Sequence, residues 1–435
     1  MERLKKKFLD DESVVCNATK VTDFRHIQIM RFHLNIANGW PGYEVEQKNP
    51  KYKNLYSAVQ IVLNQFCMSA GIKYLILNLD RSFFELGHMM ITSLMGFVAF
   101  ARILSTLPQR TKYRNLAASF LTKLHLLFFK DSSEYAMKTY KKVHFISQIF
   151  TMCVTLQMFA GIALFNCIPM WNNYASGKYK HRVLYNSTFD HTLYLAVPVL
   201  KIYTHMEAYV IGWIYNWVMS YLCSVAFCML DLYLNLTIFN IWGHFQILLN
   251  DLATFPLPAA EVISLKNNRN ANAIAEMYSE EESKQIHKKL KHCIDYHRFI
   301  KHWTNEMSEA FGPILLVSYT FYQVSGCLLL LECSQMTTAA LMRYLPLTII
   351  LFQQLIVASV IIELIGSTSE KLKDAVYGLP WQYMDTKNRR IVCIFLHNVQ
   401  EPIQVKALGV LNVGVTTMAT VLKTSLSYFT FLRSI

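Results

Sequence analysis

Apolar residues in this chain come in runs of about 20, the length an α-helix needs to cross the hydrocarbon of a bilayer. Six such runs lie at 55–79, 83–104, 145–171, 206–236, 307–331 and 339–365. A seventh, 403–432, carries Lys406 and Lys423 and is rich in Gly, Thr and Ser, which suits a helix facing protein or water better than one facing lipid. The first two runs meet at Asn78–Ser82, so the pattern predicts a tight hairpin there. Residues 276–302 read as a charged helix continuing the fifth run, and Asn-rich 267–273 reads as a loop. Ser119–Lys142 has an apolar first half and a basic second half, which predicts a segment packed beneath the membrane. The expected fold class is an all-α membrane protein of seven transmembrane helices, with no internal repeat and no soluble second domain.

Composition supports this reading. Of 435 residues, 53% are hydrophobic and only 16% charged, too apolar a balance for a soluble protein of several domains. The formal charge of +13 would suggest nucleic acid if the cations formed a stripe on a folded domain. Here they fall in the gaps between apolar runs, so no nucleic-acid partner is expected. The N-terminal segment and alternate gaps hold thirty-one Lys and Arg, against six in the remaining gaps. Basic loops stay in the cytoplasm, so the N-terminus is expected inside and the C-terminus outside, opposite to a G-protein-coupled receptor. Asn186-Ser-Thr then falls in an outer loop as the expected glycosylation site, whereas Asn17-Ala-Thr would be cytoplasmic and Asn235-Leu-Thr lies in a span. Met1–Pro50 is charged and lacks an apolar core, so the first span is expected to direct insertion without a cleaved signal.

The search for reaction chemistry returns little. The chain has no phosphate-cradling Gly-rich loop, no HExxH, no nucleophile elbow and no paired CxxC. His287, His292, His297 and His302 recur every five residues, about 140° apart around a helix, and so cannot share one metal. They are expected as solvated positions on a basic helix. Cys167 and Cys333 fall near the outer ends of the third and fifth spans, where a disulfide is conceivable. Neither an enzyme nor a cofactor is expected.

Two motifs carry a resemblance. The C-terminal LKTSLSYFTFLR, with Ser-Tyr-Phe at 427–429, is similar to the end of the insect odorant receptors. Tyr377-Gly-Leu-Pro-Trp followed by Asn388-Arg-Arg resembles their penultimate intracellular stretch. Gustatory receptors share the architecture, but their tail has a Gln-Phe pair that this chain lacks. The segment 250–306 is shorter than the corresponding loop of the family's co-receptor, so the chain is identified as a ligand-selective subunit.

The resemblance implies a ligand-gated, non-selective cation channel in the plasma membrane of olfactory neuron dendrites. Its subunit would join the co-receptor in a heterotetramer, with membrane lipid around it. Residues 1–366 would form six spans with a pocket in their outer half, and 367–435 an anchor segment and the pore-lining helix. The family's apolar constriction falls here on Phe431 and Ile435, beside Tyr428. An apolar ring gates by expelling water, so slight widening restores conduction.

Pocket candidates come from where aromatic and small residues gather. Met158, Gly161 and Phe165 share a helical face, with the glycine leaving a hollow between two large side chains. Tyr209 and Trp213 share a face at similar depth, and Phe84, His88, Tyr319, Tyr322 and Tyr344 complete the expected set. Many π-faces and few charges favour a small volatile molecule whose single oxygen a Tyr hydroxyl, His88 or Gln157 engages. For each residue, bundle packing is the plainer reading. A secondary transporter is the competing class, on Glu85, Glu207, Asp231 and Glu363, although an odd number of spans fits inverted repeats poorly.

Overall fold

The computed structural model describes residues 10–40, 53–80, 83–104, 110–185, 187–197, 200–259, 277–334 and 338–434. Two short N-terminal helices, α1 (Glu12–Asn17) and α2 (Arg25–Ile36), precede α3 (Lys53–Leu77), α4 (Phe83–Leu104) and α5 (Arg110–Ser119). Three long helices follow: α6 (Glu134–Ala175), α7 (Met206–Ala253) and α8 (Glu280–Cys333). The chain ends with α9 (Thr338–Tyr377), α10 (Thr386–Asn398), the two-residue strands β1 (Lys406–Ala407) and β2 (Leu411–Asn412), and α11 (Val415–Ser434).

Helix α7 is the axis of the bundle: α4, α6, α8 and α9 all pack on it, and α11 lies against α8 and α9. It is apolar on every side, as a helix surrounded by others must be. Among the described residues five helices are long and apolar enough to cross a membrane, and Met89–Leu104 is a shorter apolar stretch. The most apolar window of α7 is 83% buried inside the protein, against 17% for α3, which therefore turns most of its surface outward.

Several boundaries follow local chemistry. Helix α8 starts at a capping box: Glu282 N donates to Ser279 Oγ at 3.3 Å and Ser279 N to Glu282 Oε2 at 2.7 Å. It then runs without a break for 54 residues, so the charged 280–302 segment is continuous with the fifth apolar run as expected. Helix α6 starts at Ser133, whose Oγ accepts from Ala136 N at 3.0 Å. The basic half of Ser119–Lys142 thus belongs to the foot of the third span, and only residues up to Phe129 form a separate packed segment.

Three expectations need correction, and one open question is answered. The last apolar run does not begin its helix at 403. Leu408 (φ 49°) and Gly409 (φ 73°) turn the β1–β2 hairpin, which docks on α8 through Ser308, and α11 starts only at Val415. Gly409 and Gly414 therefore lie outside the terminal helix. Glu363, an unexplained acid within a span, accepts from Val415 N at 3.1 Å and so caps the start of α11. His297 is 4% exposed and meets the Phe395 ring edge to face, while His287 bonds Asn388, so the histidine row is half interface rather than solvated face. Finally, Cys167 and Cys333 are free thiols, with Cys333 Sγ 3.5 Å from Thr348 Oγ1.

Candidate ligand cavity

The cavity lies in the half of the bundle that carries the 176–205 loop. Small residues hold the helices apart there: Gly96 on α4 and Gly161 on α6 both line it, and a Cβ added to either would meet nothing within 4 Å. The cavity volume is about 150 Å³, with walls from α3, α4, α6, α7, α8 and α9. Met158, Ile162 and Phe165 form the α6 wall, Met219 and Phe227 the α7 wall, and Phe321 and Leu329 the α8 wall.

Above the cavity the 176–205 loop folds back as a lid. Asn173 at the end of α6 holds it by a pair of bonds, from Asp190 N to its Oδ1 at 2.8 Å and from its Nδ2 to Asp190 O at 2.9 Å. Ala196 N donates to Ala70 O on α3 at 2.9 Å, and Leu193 drops into the cavity lining. Below lies a fully buried Arg102 on α4, paired with Asp231 on α7 and 5.0 Å from the centroid of Phe227. The floor of an apolar cavity is therefore an ion pair sealed beneath one aromatic ring.

Of the residues expected to touch ligand, Gln157, Met158, Gly161 and Phe165 line this cavity together. Tyr209 does not: it stacks on Phe189 at 4.6 Å and shares hydrogen bonds with Tyr179 and Asn173, which places it in the lid cluster with Trp213 packed alongside. Tyr319 points into the bundle, its hydroxyl 2.5 Å from Ser359 Oγ, and Tyr322 and Tyr344 are buried core residues outside the lining. The side chains of Phe84 and His88, together with Asn186 and Ile435, lie outside the described residues. Tyr428 and Phe431 stand on an exposed face of α11, 56% and 60% exposed respectively.

Polar groups around the cavity are few and mostly committed. Gln157 pairs with Gln353 on α9 at 3.3 Å, Ser220 Oγ donates to Asn166 Oδ1 at 3.4 Å, and Asn64 bonds back to Gln60 O. Ser325 differs. Its hydroxyl is fully buried, lines the cavity and has no hydrogen-bond partner among the described residues. A buried hydroxyl without a partner is costly, so it offers a strong incentive to any ligand carrying an acceptor oxygen. Sequence analysis did not select it, since a serine in an apolar run most often bonds the carbonyl four residues back, as Ser318 does to Ile314 O at 2.7 Å. Next to it, Gly326 is where α11 comes closest: a Cβ there would stand 3.1 Å from Ser425 Oγ, which itself donates to Gln323 O at 3.3 Å.

Comparison with known proteins gives a consistent picture. A family model described as 7tm Odorant receptor matches residues 82–426. The Drosophila melanogaster protein provisionally named odorant receptor 85d is 25% identical over 150 residues, which are 33% of this chain and 35% of that one. The matched region thus spans about a third of that relative's length. Among solved structures, the olfactory receptor OR5 of Machilis hrabei in complex with eugenol superposes with a TM-score of 0.72 at 14% identity, covering 94% of this chain and 97% of that one. The same receptor in a second structure superposes with a TM-score of 0.70 at 15% identity, over 93% and 97% of the two chains.

Proposed function

The chain belongs to the 7tm odorant receptor family, and on that premise we propose that it is the odorant-binding subunit of a ligand-gated, non-selective cation channel in the plasma membrane. The observation that carries this reading is the position of Ser325: its unpartnered hydroxyl faces the cavity, and the next residue touches the terminal helix. A ligand that fills the cavity and bonds Ser325 shifts α8 at the point where α8 supports α11.

A mainly apolar space of this size accommodates a single aromatic ring. Met158, Phe165, Phe227 and Phe321 recognise it by dispersion and burial, at about 25 cal/mol per Å² of apolar surface. The expected ligand is thus a small volatile molecule with one ester, alcohol, phenol or carbonyl oxygen. Eugenol, held by the Machilis receptor, is of this kind.

Gating belongs to α11. Its buried edge, Val421 and Ser425, faces α8, whereas Thr416, Thr420, Ser427, Tyr428 and Phe431 are exposed in the single chain. A hydroxyl-bearing and aromatic face of this kind suits a helix lining a water-filled pore between subunits. Phe431 and Ile435 then form the apolar neck, and residues 367–435 act as one anchor-and-pore unit beneath a ligand-binding bundle of residues 1–366. The N-terminus lies in the cytoplasm, and the co-receptor supplies the remaining subunits.

The test is whole-cell current from cells expressing the chain with and without an insect odorant co-receptor, during pulses of volatile esters, alcohols, phenols and aldehydes. An inward cation current within a second that requires both chains and survives G-protein blockade is the expected result. Substrate-coupled uptake without such a current would overturn the channel reading in favour of a transporter.

A further inference from the structure

Away from the cavity, at the opposite end of the bundle, three metal-ligating side chains converge from separate elements. Asp10 precedes α1, His26 lies in the first turn of α2, and His144 sits in the lower third of α6. One carboxylate oxygen and two imidazole nitrogens lie within 4.8 Å of one another. His144 Nε2 is 3.3 Å from Asp10 Oδ2. That is about the edge of a tetrahedron built on metal–ligand bonds of roughly 2.0–2.1 Å.

The imidazoles are otherwise idle. His26 is 2% and His144 4% exposed, yet His26 Nδ1 and His144 Nδ1 have no hydrogen-bond partner among the described residues, and the contact of His144 Nε2 is with Asp10 itself. The surroundings resemble a finished outer shell. Gln148 Nε2 donates to Asp10 Oδ2 at 2.8 Å, Arg25 N donates to Asp10 Oδ1 at 3.3 Å, and the Phe24 ring stands edge-on to His144 at 4.5 Å.

We propose that Asp10, His26 and His144 bind one zinc ion, with water as the fourth ligand, which staples the N-terminal segment to the foot of α6. Two imidazoles and a carboxylate suit zinc. The inference does not depend on the receptor reading, because its readout is metal content rather than current.

The experiment is elemental analysis of the full chain purified in detergent without an affinity histidine tag, beside His26→Gln, His144→Gln and Asp10→Asn variants. We expect about one zinc per chain in the wild type, lost in the variants while elution profile and helical circular dichroism persist. As a second reading, cobalt(II) added to chelator-stripped wild type should give the visible absorption of a tetrahedral ion. Zinc retained in all three variants would place the metal elsewhere and overturn the proposal. Wild type that takes up neither zinc nor cobalt would overturn it as well, and iron in place of zinc would overturn the choice of ion.

Discussion

The glycines that line the cavity and those at the helix contacts of the foot are used in opposite ways. In the cavity half, Gly96 and Gly161 face open space. In the foot, a Cβ on Gly243 would collide with Leu126 and lie 3.1 Å from Val143 Cγ2, and one on Gly312 would lie 2.9 Å from Leu408 N. The same residue leaves a hole in one place and permits backbone contact in the other. Individual polar groups differ as well. In the foot, His244 spans from Leu124 O at 2.7 Å to Tyr296 OH at 2.8 Å, and Asn240 Oδ1 accepts from Leu126 N at 3.0 Å. Beside the cavity the Ser325 hydroxyl is left unsatisfied. These contacts of the foot specify one arrangement, while the cavity keeps unfilled volume and an unmet hydrogen bond that a guest can supply.

The largest test of this contrast cuts the ion pair at the boundary between the halves. Arg102→Ala should destabilise the protein by about 3 kcal/mol, because it strands Asp231 without its cation in a partly buried site. Asp231→Asn should show a loss in the same direction, read as the unfolding midpoint in detergent. Next, Gly243→Leu should cost about 1–3 kcal/mol by overpacking the foot. Gly161→Leu should leave the midpoint unchanged but weaken ligand potency at least tenfold. If both glycines responded alike, the difference in packing would be illusory.

Smaller effects probe the polar groups. Burial, with His144 and His244 nearby, pushes the His125 pKa down to about 3, so the folded protein keeps this ring neutral while the unfolded chain takes up a proton near pH 6.5. Its contribution to stability is present above that pH and falls as the medium is acidified, by about 1 kcal/mol between pH 7.5 and 5.5. His125→Gln should flatten that part of the stability profile. Smallest of all, Ser325→Ala should weaken oxygen-bearing ligands by about 0.5–1.5 kcal/mol, several-fold in half-maximal concentration, and leave hydrocarbons of the same shape untouched. Equal losses for both ligand types would assign Ser325 to packing alone.

The α6 wall of the cavity could be anticipated from spacing. Met158, Gly161 and Phe165 sit three and four apart on one helix, and a periodicity argument needs nothing more to put them on a common wall. Tyr209 and Trp213 obeyed the same rule, yet their shared face is covered by the lid. The lid's return depends on Asn173 gripping Asp190, a contact between residues 17 apart with no helical period to announce it. The start of α11 was misplaced because hydropathy saw an apolar run where Leu408 and Gly409 make a turn.

What the sequence settled by itself is what depends on composition and local period: a helical membrane fold, the continuity of α8 with its charged extension, and the family, read from the tail and from Tyr377–Trp381. Tertiary structure alone decided which polar groups were satisfied. Glu363 became a cap for α11, Arg102 met Asp231 across two helices, and Ser325 was left facing the cavity. The reason is physical: burial of apolar surface is non-directional and legible as a sum along the chain, whereas a hydrogen bond is decided by where two distant backbones bring its donor and acceptor.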